Sequence, residues 1–139
     1  MGQQQLLLLV LGIVIVGLAV VVGIQAFGEN QKKSNADALV NDAVRIASDA
    51  QAWVLKPSAF GGGEGDFSSL DFDDIGYTAA AGVYQNLNGR FQLSNITAGG
   101  VTIDACDEQA GFDNTVTAVV SGTAPEDIAT TVATAACTF

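Results

Sequence analysis

Histidine is absent from the 139-residue chain, and cationic residues are scarce. The chain therefore lacks the commonest general base and metal ligand of proteins, and catalytic triads that use histidine are excluded. Only 5 lysines and arginines oppose 15 aspartates and glutamates, giving a formal net charge of -10. A nucleic-acid-binding surface needs the opposite sign of charge, so we expect no nucleic-acid partner.

The negative charge is concentrated in the C-terminal part of the chain. Up to Pro57, four acidic residues are matched by four basic ones, whereas after Pro57 only Arg90 opposes eleven acids. This distribution is typical of a solvated, self-repelling exterior.

Two cysteines, Cys106 and Cys137, are present, in neither a C-x-x-C nor another close metal-ligand spacing. The spacing favours a structural disulfide that joins two strands, worth roughly 3 to 4 kcal/mol on the chain-entropy model. Two buried free thiols in a reducing compartment are the alternative. A C-x-x-C-H haem motif and iron-sulfur spacings are both missing, and we expect no cofactor.

An apolar segment without charge extends from Leu6 to Ile24. As a helix it would measure roughly 28 Å, enough to cross a hydrocarbon core. No basic residue precedes it and Gln25 to Gly28 is a poor cleavage site, so we expect the segment to stay in the mature protein. Lys32 and Lys33 favour a cytoplasmic C-terminal part by the positive-inside rule, but the expected disulfide favours an exterior one, which we prefer.

Three glycines, Gly12, Gly17 and Gly23, interrupt the apolar segment at spacings of five and six residues. These spacings differ from the small-xxx-small pattern of simple helix dimers. One interpretation is the ordinary glycine frequency of membrane helices. The other is that the glycines loosen the helix locally or admit close neighbouring helices.

A second helical pattern follows the polar stretch Gly28 to Asn35, with apolar residues at intervals of three and four from Ala36 to Val54. The other face carries polar residues, namely Asn35, Asp42, Arg45, Ser48, Asp49 and Gln51. Pro57 disfavours helical geometry at Lys56 and should end the helix. Either one helix continues through both patterns, or it breaks at Gly28 and Ser34 caps a second helix.

Residues 57–139, called the head here, begin with a glycine-rich stretch, Gly61 to Gly65, that predicts a flexible loop. An acidic, aromatic connection from Phe67 to Tyr77 comes next. Short strand-like runs then follow, at 82–84, 90–96, 101–106, 115–121 and 130–137. We predict an α+β fold in which an antiparallel sheet of four or five strands packs on a long N-terminal helix. Residues 1–28 form the apolar half of this helix, residues 29–56 form its amphipathic half, and residues 57–139 form the head.

This layout resembles the type IV pilins and pseudopilins. An apolar N-terminal helix continues into an amphipathic half, followed by a loop, a small sheet and a late cysteine pair. In that family a basic leader is removed, and a glutamate fifth in the mature chain pairs with a neighbour's N-terminal amine. Here the start Met1-Gly2-Gln3-Gln4-Gln5-Leu6 departs from the family pattern, and Gln5 stands where that glutamate would be.

The resemblance implies a structural subunit that polymerises through its apolar helix, with copies of itself and a membrane-embedded pilus assembly machinery as partners. It would lie in the cytoplasmic membrane before assembly and in an extracellular filament afterwards, serving adhesion, motility, secretion or DNA uptake. Candidate assembly residues are Gln5, Leu6, Gly12, Val16, Gly17 and Gly23. The alternative is a single-span, membrane-anchored extracytoplasmic binding module that never polymerises.

Further sites in the head receive little support. Some members of the family carry calcium loops, but the acids between Glu64 and Asp74 lack the spacing of a calcium-binding loop, so we expect a solvated acidic loop. Asn95 begins an N-x-T sequon and is a possible glycosylation site. No nucleophile with a base partner is recognisable, and we expect no enzymatic activity.

Overall fold

The N-terminal half of the chain forms one α-helix, α1, from Gly2 to Leu55. The computed structural model describes residues 1–109 and 111–139. Helical structure continues through Gly28, as in the first of the two alternatives, and ends just before Lys56. The chain divides into two compact units, Met1–Lys33 and Ser34–Phe139, and α1 contributes residues to both.

Five antiparallel strands follow in the C-terminal unit, and they pair in the order in which they occur along the chain. They are β1 (Val83–Gln85), β2 (Arg90–Thr97), β3 (Gly100–Cys106), β4 (Asn114–Val120) and β5 (Ile128–Thr134). The predicted α+β fold is therefore confirmed. The last strand begins and ends earlier than the sequence predicted, so that Cys137 lies outside it.

The core lies between the C-terminal part of α1 and the three central strands. Phe91, Ile103 and Ala118, one from each of these strands, are completely buried. Facing them, α1 buries a row of apolar residues, namely Leu39, Ala43, Ile46, Ala47, Ala50, Trp53 and Val54. The three alanines in this row let the helix approach the sheet closely. Removing this apolar surface from water is the main force that holds helix and sheet together.

Polar side chains on both flanks of that row also bind α1 to the connections between strands of the sheet. On one flank, Asp42 Oδ2 accepts hydrogen bonds from Asn86 Nδ2 at 2.9 Å and from Asn88 Nδ2 at 2.7 Å. On the other, Gln51 Nε2 donates to the carbonyl oxygens of Gly122 and Ala124, both at 2.9 Å. Gln51 is only 8% exposed. The sequence pattern assigned Asp42 and Gln51 to the face of α1 opposite the core, whereas both side chains join the helix to the head.

An aromatic cluster covers β1. The ring of Tyr84 in β1 lies 4.9 Å from that of Tyr77, 5.8 Å from that of Phe91 and 6.0 Å from that of Phe72. The hydroxyl of Tyr77 donates a 2.6 Å hydrogen bond to Asp49 Oδ2 on α1. Burial, followed by this hydrogen bond and the negative charge of Asp49, raises the pKa of Tyr77 to about 12.

We expect Tyr77→Phe to lower the free energy of unfolding by about 1 kcal/mol at neutral pH, because the hydrogen bond to a carboxylate is lost. The phenol of Tyr77 is held neutral in the folded state, so its contribution is complete below the unfolded pKa of about 10 and is lost as pH rises towards 12. Denaturant titrations should therefore show that raising the pH from 7 to about 12 lowers the free energy of unfolding less in the variant than in the wild type. Parallel pH profiles would contradict this assignment.

The glycine-rich segment after α1 folds back onto the end of the helix instead of forming the flexible loop that its composition predicts. The backbone amides of Gly63, Glu64 and Gly65 donate to the carbonyl oxygens of Trp53, Lys56 and Val54, at 3.1, 3.1 and 2.8 Å. Carbonyl groups at the end of a helix otherwise lack intrahelical partners. A Cβ on Gly63 would lie 2.3 Å from the Asp66 carbonyl oxygen and 2.6 Å from the Trp53 ring, so only glycine fits.

Gly63→Ala should therefore destabilise the C-terminal unit by about 1 to 3 kcal/mol, because backbone and ring must both move. The matched control is Gly99→Ala, since a Cβ on Gly99 meets nothing within 4 Å. That control should change stability by less than about 0.5 kcal/mol. Equal denaturation midpoints for the two variants would show that the segment tolerates a side chain at Gly63.

Cys106 and Cys137 are bonded to each other, with their Cα atoms 5.5 Å apart. Cys106 is the last residue of β3, but Cys137 follows the end of β5 at Thr134. The bond therefore joins a central strand to the C-terminal segment, and the expectation that it joins two strands is wrong. Because Cys137 follows the edge strand β5 in the sequence, the cross-link restricts how far the C-terminal segment can leave the sheet.

Candidate assembly surface

The apolar segment Leu6–Ile24 is exposed around its whole circumference. Each leucine, isoleucine and valine within it exposes between 52% and 70% of its surface. The most apolar 18-residue window of α1 has a mean hydropathy of 3.2, and by length and composition the helix could cross a membrane. A surface of this kind is stable only when lipid or other apolar helices surround it.

The three glycines of the apolar segment have open space around them outside the backbone of their own helix. A Cβ added to Gly12, Gly17 or Gly23 would have no neighbouring atom within 4 Å. Packing within the described residues therefore does not require glycine at any of these positions.

Gln5, Leu6 and Val16 are all exposed, as the sequence-based assignment to an assembly surface requires. Gln5 lies in the first turns of α1, which begins at Gly2. Backbone amides in this part of a helix have no partner in the preceding turn. A carboxamide side chain beside them can both donate and accept hydrogen bonds without the cost of burying a charge.

The acidic residues after α1 bind backbone amides of their own loop. Asp66 Oδ1 accepts from the Ser68 amide at 2.7 Å, and Asp71 Oδ1 accepts from the Phe72 amide at 2.7 Å. Hydrogen bonds from the hydroxyl and amide of Ser68 lower the pKa of Asp66. Within residues 1–109 and 111–139, three or more Asp, Glu, Cys or His side chains nowhere come close enough together to hold a metal ion.

Asn95 lies on the surface, at an irregularity near the end of β2. The pairing of β2 with β3 shifts between Ser94 and Thr97, and Asn95 has a positive φ of 47°. Its side chain is exposed. The asparagine of the sequon is therefore accessible to solvent.

Two features of the surface escaped the sequence-based reasoning. One is the set of hydrogen bonds on the flanks of α1, for which the only signal is the pair Asn86 and Asn88 around a turn. The other is β5, where six of seven residues are exposed and no side chain carries charge. The uncharged C-terminal stretch was visible in the sequence, but its position at the sheet edge was not.

The fold and its surfaces define a class of protein, namely an α+β head on a helix whose apolar N-terminal segment is exposed. Comparison with known proteins adds no relative to this description. No family model, curated protein or solved structure matches the chain.

Proposed function

We propose that this chain is a structural subunit of an extracellular filament of the type IV pilus kind, held together by its apolar N-terminal helices. The observation that supports this most directly is the exposure of Leu6–Ile24 on every side. A helix that served only the head would need one apolar face, as the residues from Leu39 to Val54 do. An apolar surface around the full circumference suits a helix that is surrounded first by lipid and then by other copies.

The core of the C-terminal unit supports the same conclusion. Every member of the buried apolar cluster, from Leu39 to Val120, lies within Ser34–Phe139. The apolar segment contributes no residue to that cluster, so its sequence is free to serve association between chains.

The free energies indicate what each environment contributes. Burying one large aliphatic side chain is worth roughly 1.5 to 3 kcal/mol relative to water, so a filament core keeps these side chains out of solvent at a large gain. Transfer from lipid gains little by this effect, since acyl chains are as apolar as leucine. Extraction from the membrane then needs a motor, which is the role we assign to an assembly machinery, and close helix packing holds the product.

Electron microscopy of sheared cell-surface material tests the proposal. Helical fibres built of this chain are the expected result. The competing function, a single-span anchor carrying an extracytoplasmic binding module, would instead give only membrane-bound chain and a monodisperse particle in detergent. Finding only that particle would overturn the filament proposal.

We expect Val16→Asp to abolish filaments while leaving the head folded. A carboxylate at the centre of an apolar helix costs about 3 kcal/mol in a membrane, and it has no cationic partner in a core of like helices. Val16→Leu, which keeps the position apolar, is the control and should assemble normally. Circular dichroism should show the same head in all three proteins, and normal filaments from the Asp variant would show that heads hold the assembly together.

We expect Gln5→Leu to reduce filament yield more than Val20→Leu does, although both variants gain a leucine in the same helix. Gln5 would donate and accept hydrogen bonds near the N-terminus of a neighbouring subunit, whereas Val20 supplies only packing. The measurement is the filament mass recovered per cell, normalised to the amount of chain in the membrane. Equal yields from the two variants would remove this role from Gln5.

A further inference from the structure

β5 is the least covered strand of the sheet. Only Ile128 packs against the core cluster, and the other six residues of the strand are exposed. Val132 exposes 55% of its surface, although its partner in the neighbouring strand, Val116, is completely buried. The helix therefore leaves β5 open to solvent on both faces.

The backbone of β5 also presents unpaired groups at the outer edge. Two hydrogen bonds at the ends of the β4–β5 pair show which residues face β4 and which face outward. The Ser121 amide donates to the Asp127 carbonyl at 3.0 Å, and the Ala135 amide donates to the Asp113 carbonyl at 2.8 Å. Residues in an antiparallel ladder alternate between pointing towards and away from the partner strand. The residues whose backbone groups face the free edge are therefore Ile128, Thr130, Val132 and Thr134.

This edge has none of the features by which proteins commonly block strand pairing. Such features are lysines, prolines, bulges or a covering loop. The sequence from Ile128 to Thr134 contains no charge and no proline, and it pairs with β4 in unbroken register over all seven residues. The opposite edge differs, because β1 has only three residues and the chain turns back on it at Ala80, which exchanges backbone hydrogen bonds with Val83.

The charge distribution of the head shows where two copies of this chain can meet with the least repulsion. No charged side chain occurs from Ile128 to Phe139, whereas the rest of the head carries eleven acids and one base. Two copies of so acidic a head repel each other over most of their surfaces. The uncharged edge is the place where a second copy meets the least repulsion and finds unpaired backbone groups.

We propose that β5 pairs antiparallel with β5 of a second copy of this chain, forming one continuous sheet across two heads. In the register centred on Thr131, Ile128 lies opposite Thr134, and Thr130 lies opposite Val132. Every backbone group that faces the free edge then has a partner. Side chains on both faces of the joined strands are small or β-branched, which suits a paired strand.

The symmetry of this contact gives it a distinct role. The pairing is two-fold, so each copy uses the same surface. Subunits of one polar filament are related by a screw operation and not by a two-fold axis, so the contact joins heads of two different filaments. The contact between two filaments rests on the proposed function, whereas the pairing of two β5 strands does not. A single edge contact is weak, but many of them along two filaments act together.

The experiment compares Val132→Glu with Val119→Glu in the full-length chain held in detergent micelles. Both changes place the same charge on an exposed valine in neighbouring strands, and Val119 is 42% exposed. β4, which holds Val119, is paired on both edges and offers no free one. Sedimentation at rising protein concentration, in about 0.15 M salt where the Debye length is about 8 Å, measures the head contact while a charge introduced at the contact still acts across it.

We expect Val132→Glu to raise the dissociation constant of the dimer about tenfold or more and Val119→Glu to leave it near the wild-type value. In the wild type, hydrogen exchange at the amides of Thr130 and Val132 should slow as dimers form. Equal association of the two variants, or unchanged exchange at these amides, would overturn the inference. Matching denaturation midpoints exclude misfolding as the cause.

The same measurements keep the two proposals separate. If electron microscopy shows filaments but the micellar chain shows no dimer that depends on Val132, the edge contact is wrong and the filament proposal stands. If the dimer forms but no filament is found, the edge contact stands and the filament proposal is wrong.

Discussion

A single helix has to cover a sheet of five strands, and this constraint accounts for much of the architecture. A helix with its side chains is about 10 to 12 Å wide, whereas four spacings of about 4.8 Å separate the outer strands by about 19 Å. The core accordingly unites α1 with β2, β3 and β4. The two outer strands need other cover, which β1 receives from Phe72 and Tyr77, whereas six of the seven residues of β5 stay exposed.

The C-terminal half of α1 holds its position through two kinds of contact that complement each other. Apolar burial supplies most of the free energy but is not directional, so it would tolerate sliding or rotation of the helix. Hydrogen bonds accepted by Asp42 and Asp49 on one flank, and donated by Gln51 on the other, require one rotation and one axial position of the helix. Because these residues occur on both sides of the row Leu39 to Val54, the helix is fixed on the sheet from two directions.

The sequence predicted the elements of this fold better than the contacts between them. Helical periodicity after Ala36, the stop at Pro57 and the short strand-like runs of the head are local signals, and the helix end and strands that they predict are present. The flanking hydrogen bonds join residues 28 or more positions apart, so they depend on how helix and sheet align. The glycine-rich composition after α1 likewise predicted a flexible loop, which the structure does not have. The reason is that the close approach of Gly63 to the Trp53 ring cannot be recognised from composition.

The two proposed contacts should respond differently to salt, and the reason lies in where the charge is. The apolar segment has no charge, so its packing against other helices depends little on ionic strength. The heads carry almost all of the net charge, so free heads repel and salt weakens that repulsion. Filament formation and lateral pairing would then be separable, since the first is set by the helix and the second by the ionic strength around the heads. In the proposed lateral contact, an acidic head with one uncharged edge would therefore pair to an extent set by the ionic strength around it.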